Sequence, residues 1–227
     1  MIGIIGAMSV EAKILIDAMT NKSEKTISGI TYTCGILGKS DVVCAVSGVG
    51  KVFAAVCAQT MITEYKPDLI INTGVAGTLS GKIGILDVVV ASGLVQHDMD
   101  TSFFGDEVGL ISGINKIEIK TSEDVSQKIC KCIENAGSKY FRGIIASGDC
   151  VVGEQKKKES IASTFGAIAC EMEGGAVAQV CYINNIPFAV IRTISDGADD
   201  SASMSYTQFR DIAAAKSARI IQEYCSI

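Results

Sequence analysis

Apolar positions along the chain fall into two alternating rhythms, short continuous runs and longer segments with a helical period. Ile2–Gly6 is a short run, after which Ser9 can cap a helix reaching about Met19, with Glu11 in its first turn. Two or three antiparallel strands are predicted next, over Ile27–Cys34 and Asp41–Ser47, with turn residues at Gly29 and Gly38–Asp41. Gly50–Tyr65 carries a helical period that Lys66-Pro67 stops. Leu69–Thr73 is a continuous apolar strand ending in Gly74-Val75-Ala76-Gly77, and Asp87–Ala91 is another. Val125–Ala136 reads as an amphipathic helix, Gly143–Ser147 as a strand and Gln155–Thr164 as a polar-faced helix. Ile168–Glu173 is a strand running into the helix Gly174–Ile183, Pro187–Ser195 is the last strand, and Thr207–Tyr224 is a long closing helix. Strands alternating with helices predict an α/β fold, and runs apolar at every position predict strands covered on both faces.

Composition narrows this to one globular domain over residues 1–227, with no linker, low-complexity segment or repeat period. The chain has 20 Lys+Arg against 25 Asp+Glu, a net charge of −5, with no basic block to displace counterions from nucleic acid. Mean hydropathy is high at +0.35, but no apolar run reaches the length of a membrane span, and Ile83 to Val95 carries Asp87 and two glycines. The first residues lack a basic leader and a cleavage site, so they read as a strand and the expected location is the cytoplasm. Nine cysteines, without a CxxC pair, read as buried small hydrophobes of a reducing compartment, and the single histidine completes no zinc set. No metal and no cofactor is expected.

Candidate chemistry gathers where predicted strands end. Gly6-Ala7-Met8, Ser47-Gly48-Val49-Gly50, Thr73 to Gly77, Ser147-Gly148-Asp149 and Ser195-Asp196-Gly197 all end strands in small residues that let backbone approach a ligand. The glycine loops fail the nucleotide templates. A P-loop would need glycine at Ala45 and Ser/Thr at Val52, and a dinucleotide fingerprint would need a small residue at Phe53. Carboxylates are the sharper signal. Glu11 lies beside the end of the first strand, Glu171 and Glu173 share one face if Ala167–Glu173 is extended, and Asp196 follows the last strand. Each has an ordinary alternative as a dipole partner, helix start or turn residue; together they suit gripping a sugar and moving protons.

GIIGAM with Glu11, SGVGK, INTGVAG, SGD at 147–149, EMEGGAVA at 171–178 and IRTISDGAD at 191–199 span nearly the whole chain. They resemble the bacterial 5′-methylthioadenosine/S-adenosylhomocysteine nucleosidases of the nucleoside phosphorylase superfamily. The resemblance implies a three-layer α/β/α sandwich with a central mixed sheet, a homodimer, and hydrolysis of an N-glycosidic bond to free adenine. It implies catalytic roles for Glu11, as the base that activates water, and Asp196, as the acid at adenine N7. It further implies that Glu173 holds the ribose hydroxyls, Met172 packs under the sugar, Arg192 lies near the water, and Val152 meets the purine edge. Met8 and Tyr206 would border the 5′-substituent, Val49, Val75 and Val151 would complete the wall, and Phe104 would enter from a partner's loop over about residues 97–113. Three positions depart from the family pattern. Val75 replaces a serine, Val151 replaces an aromatic that stacks on the purine, and Asp106 replaces a tyrosine.

Other readings use the same acids. A phosphorylase would need several arginines around an anion, yet Arg142, Arg192, Arg210 and Arg219 are all late in the chain. A hydrolase of another purine nucleoside, such as aminofutalosine or 5′-deoxyadenosine, and a non-catalytic nucleoside sensor are the remaining alternatives. His97 reads as a structural hydrogen-bonding residue of its loop, and Lys156-Lys157-Lys158 as a solvated helix face.

Overall fold

The computed structural model describes residues 1–199 and 201–227. Its elements in chain order are β1 (Ile2–Gly6), α1 (Ser9–Ala18), β2 (Thr20–Ile27), β3 (Ile30–Leu37), β4 (Ser40–Val46), α2 (Lys51–Tyr65), β5 (Leu69–Thr78) and β6 (Val88–Gln96). A 3₁₀ turn over Ser102–Phe104 precedes β7 (Ile119–Lys120), α3 (Glu123–Asn135), β8 (Tyr140–Ser147), α4 (Gln155–Phe165), β9 (Ala167–Glu171), α5 (Gly174–Asn184), β10 (Phe188–Asp196) and α6 (Ala202–Tyr224).

The expected mixed sheet is present, and part of it closes on itself. β10 pairs antiparallel with β6, β6 parallel with β8, β8 parallel with β9, β9 antiparallel with β5, and β5 parallel with β10. β1 and β4 extend this five-stranded ring in parallel from β5, and β3 and β2 finish it as an antiparallel meander. Apolar clusters lie on both sides of the sheet. Met61 and Cys57 of α2 meet Val177 and Cys181 of α5 on one side; Leu15 of α1, Ile133 of α3 and Ile221 of α6 cover the other. β5 is buried at every position, as its continuous apolar run requires, and each of its large aliphatic side chains contributes roughly 1.5–3 kcal/mol by leaving water.

Several boundaries differ from the sequence expectation for identifiable reasons. Ile27–Cys34 is split by a two-residue turn at Ser28–Gly29 into β2 and β3. Met8, not Ser9, stands before the first turn of α1. β5 runs on through Gly74–Thr78 and β6 through Gln96, because β10 and β8 pair along those extensions. β9 stops at Glu171, two residues early, and α6 starts at Ala202, ahead of its clear apolar period. The strand ends do not form one edge either. β1, β4, β5 and β10 run one way, β6, β8 and β9 the other, and the two sets converge where Gly77 pairs with Cys170.

Candidate active site

β5 positions the site through an interrupted edge. On one side it pairs with β10 from Ile70 to Gly77; on the other it pairs with β1 only at Leu69–Asn72 and with β9 only at Gly77–Thr78. Between those pairings the Val75 N–H donates to Glu11 Oε1 at 3.2 Å. Glu11 Oε2 accepts the N–H groups of Ala7 at 2.7 Å and Met8 at 2.8 Å, so the carboxylate both caps α1 and bridges β1 to β5. The side chain is 4% exposed. Burial pushes its pKa above the ordinary glutamate value, against the opposing pull of Arg192 and the three backbone donors.

Two glycines of the β5 segment are explained by contact with acids. A Cβ on Gly74 would fall 2.6 Å from Glu11 Oε1, and one on Gly77 would fall 2.6 Å from Asp196 Oδ1. Asp196 ends β10 half-buried, its Oδ2 accepting the Ser195 hydroxyl at 2.8 Å and its Oδ1 the Ala198 N–H at 2.9 Å. Glu173 stands at the N-cap of α5 and accepts the Gly50 N–H at 2.8 Å. Burial and the neighbouring Glu171 raise its pKa to about 7.

Glu171 and Glu173 both border the cavity, but not as alternate positions of one extended strand. The chain leaves the extended conformation after Glu171, whose carboxylate turns inward to Arg192, the Ser147 hydroxyl and the N–H groups of Glu173 and Gly174. Arg192 is 1% exposed and also donates to the carbonyls of Asn72 and Ile191 and to Asn72 Oδ1. Sequence reasoning missed this network of Asn72, Ser147, Glu171 and Arg192. A polar residue inside each of two apolar runs, Asn72 and Arg192, was the available signal.

Glu11, Glu173 and Asp196 open on one cavity of about 500 Å³, a volume suited to a small organic ligand. Met8, Val49, Val75, Val151, Val152, Met172 and Tyr206 line it as well, and the Tyr206 hydroxyl donates to Met8 Sδ at 3.2 Å. Cys150, Cys170, Ser195 and Asp199 are lining residues absent from the sequence expectation. Arg192 does not line the cavity; it lies behind Glu171, held by the four bonds above. Phe104, expected to enter from a partner's loop, is not among the residues lining its own chain's cavity and is 82% exposed in the 97–113 segment, as a residue serving a neighbouring site would be. No lysine or arginine is among the lining residues, so the wall is acidic and aliphatic. Among the described residues no cluster of His, Cys, Asp and Glu could hold a metal ion.

Two further expectations need correction. The His97 ring makes no hydrogen bond at its buried Nε2 and packs on Gly148; only its backbone N–H is bonded, to Ser147 at 2.9 Å. The lysine run is not a uniformly solvated face. Lys156 is exposed, but Lys157 donates to Cys150 Sγ at 3.0 Å and Lys158 to the Gly197 carbonyl at 2.6 Å. Both turn toward the cavity wall because α4 lies against it through Ile161 and Val152.

A ring-closed mixed sheet with acids converging beside its β5 edge defines the class: the chain belongs to the phosphorylase superfamily, whose family model matches residues 1–226. It is 37% identical over 227 residues to the 5′-methylthioadenosine/S-adenosylhomocysteine nucleosidase of Staphylococcus aureus, covering 100% of this chain and 99% of that one. The structure is similar to that of the nucleosidase of the same description from Neisseria meningitidis in complex with methylthio-immucillin-A, with TM-score 0.96, 32% identity, and 99% and 98% of the two chains covered. It is also similar to futalosine hydrolase of Helicobacter pylori, with TM-score 0.95, 34% identity, and 98% and 96% covered.

Proposed function

We propose that this protein hydrolyses the N-glycosidic bond of 5′-methylthioadenosine and S-adenosylhomocysteine, releasing adenine and the 5-substituted ribose. The carrying observation is the cavity in which three separated acids meet without a cation. In the proposed reaction a water held by Glu11 attacks C1′ and gives its proton to that carboxylate. The C1′–N9 bond breaks, its electron pair passes to the purine, and Asp196 supplies a proton at N7 so that adenine leaves neutral. Glu173 accepts hydrogen bonds from the ribose hydroxyls, and the surrounding negative charge favours the oxocarbenium-like transition state. The raised pKa of Glu11 brings its basicity toward neutrality, which suits a general base.

The cation-free lining favours water over phosphate as the nucleophile, since phosphorolysis needs positive charge around the entering anion. Likeness to the Helicobacter pylori futalosine hydrolase makes a related 6-amino-6-deoxyfutalosine substrate the second reading. We assign the activity to methionine salvage in a reducing cytoplasm; buried free thiols such as Cys44, Cys57 and Cys181 suit that compartment. A homodimer completing the site with the 97–113 loop is supported by the exposed aromatic side chains of Phe103 and Phe104, 92% and 82% exposed, and by the exposed apolar residues Val52 and Phe53 of α2.

The test is base release from 5′-methylthioadenosine, S-adenosylhomocysteine, 5′-deoxyadenosine, aminofutalosine and inosine, with and without phosphate. Adenine and free 5-methylthioribose in both buffers is the expected outcome. A pentose 1-phosphate, or hypoxanthine without adenine, would overturn the reading.

A further inference from the structure

The turn that follows Asp196 is held from outside by a helix that contributes no proposed catalytic group. Ala198 is fully buried with φ of +50°, a left-handed conformation that an alanine adopts only when its surroundings enforce it. Its N–H is one of the two groups that orient the Asp196 carboxylate, and its methyl belongs to the cluster of Val152, Ile161 and Cys170. Lys158, the fourth residue of α4, closes this cluster on its polar side. Its ammonium donates to the Gly197 carbonyl at 2.6 Å and lies 3.9 Å from Asp199 Oδ2, with the side chain only 14% exposed. Asp199 in turn accepts the N–H and hydroxyl of Ser201 at the start of α6. One cation therefore grips the two polar groups that flank Ala198.

We propose that Lys158 is a positioning residue for Asp196, clamping the 197–199 turn so that the Ala198 N–H keeps the carboxylate aimed into the cavity. Lys158 lines no part of the cavity and touches no reacting atom. Its effect passes through the turn. Such a clamp acts on the geometry of proton transfer and leaves the apolar ligand contacts in place, so its loss falls on kcat. A misplacement of the acid by about 1 Å is enough to cost up to about 10²-fold.

The inference rests on Asp196 being the acid, and the experiment separates the two ideas. Lys158→Met, Lys158→Arg and Asp196→Asn are compared with the unaltered protein for kcat and KM on 5′-methylthioadenosine, alongside thermal melting. The expected result is a kcat lowered about 10- to 100-fold in Lys158→Met with KM within about 3-fold, and recovery to within about 3-fold in Lys158→Arg, whose guanidinium restores both charge and donor. If Lys158→Met does not melt cooperatively, Lys158→Gln takes its place in the same comparison with Lys158→Arg. A kcat within 2-fold of normal in the uncharged variant, or an Arg variant no better than it, overturns the clamp while an inactive Asp196→Asn leaves the acid standing. A fully active Asp196→Asn instead removes the acid assignment on which the clamp depends.

Discussion

Glu171 and Glu173 are separated by one residue, yet the regions around them are built on opposite electrostatic arrangements. Glu171 is neutralised by a cation: Arg192 pairs with it, and a hydroxyl and two N–H groups fill its remaining lone pairs. Glu173 and Glu11 are as deeply buried but receive only backbone N–H groups, and burial raises the pKa of both. A carboxylate whose charge is matched by a buried guanidinium organises structure. One that is desolvated beside a cavity without a cation is poised to exchange protons. Residue type alone does not distinguish the two.

The comparison breaks most directly at Asp196. Asp196→Asn keeps an oxygen acceptor for the turn but cannot deliver the proton, so adenine release should fall by about 10²–10⁴ while the melting temperature stays near normal. An active Asn variant would place the acid elsewhere. The inner network should respond in the opposite sense. Arg192→Met leaves Glu171 buried and unpaired, and chemical denaturation should report a loss of about 3–5 kcal/mol. A stable Met variant with a selective loss of turnover would instead make Arg192 part of the reacting site.

Titration sharpens the same contrast. Glu11 must be ionised to accept a proton, so kcat/KM should fall with acidity on a limb displaced above the ordinary glutamate range, and Glu11→Gln should abolish that limb together with activity. Stability moves in the direction set by Glu173. Its folded pKa of about 7 exceeds its ordinary value of 4.5, so the folded state holds the proton more tightly. The contribution is full below about 4.5 and is lost as pH rises through about 7. Melting temperature should decline across that window, and Glu173→Gln should flatten the decline. An unchanged slope would remove Glu173 as its source.

How far the molecule is legible from its sequence follows the same division. β5 is evident as the apolar run that begins at Leu69, even with Asn72 inside it, and the acids are evident because charged residues next to such runs need a reason. The extension of β5 through Gly74–Gly77 is not evident. Glycine reads as a strand stop, and its actual cause is the approach of Glu11 and Asp196 from elements far away in sequence. The pairing of Glu171 with Arg192 is hidden for a similar reason: the two are 21 residues apart, and only the closure of the ring brings them together. Lys158 is hidden by its neighbours, since three consecutive lysines look solvated until α4 is packed against the cavity wall.

The smallest expected effect comes from the apolar wall, where no acid is involved. Val151 is 76% exposed and lines the cavity, so its side chain is free to be enlarged toward a bound ligand. A phenylalanine there offers a flat face to adenine, and such a contact is worth about 0.5–1.5 kcal/mol, or about 2- to 12-fold. The ring would meet the base equally before and during bond cleavage, because charge develops mainly on the sugar and at N7. Uniform binding of that kind lowers KM and leaves kcat unchanged. Val151→Phe should therefore tighten 5′-methylthioadenosine by a few-fold at constant kcat. A change in kcat without one in KM would mean that the rim acts on the acids, and the separation between an electrostatic floor and an inert apolar wall would have to be abandoned.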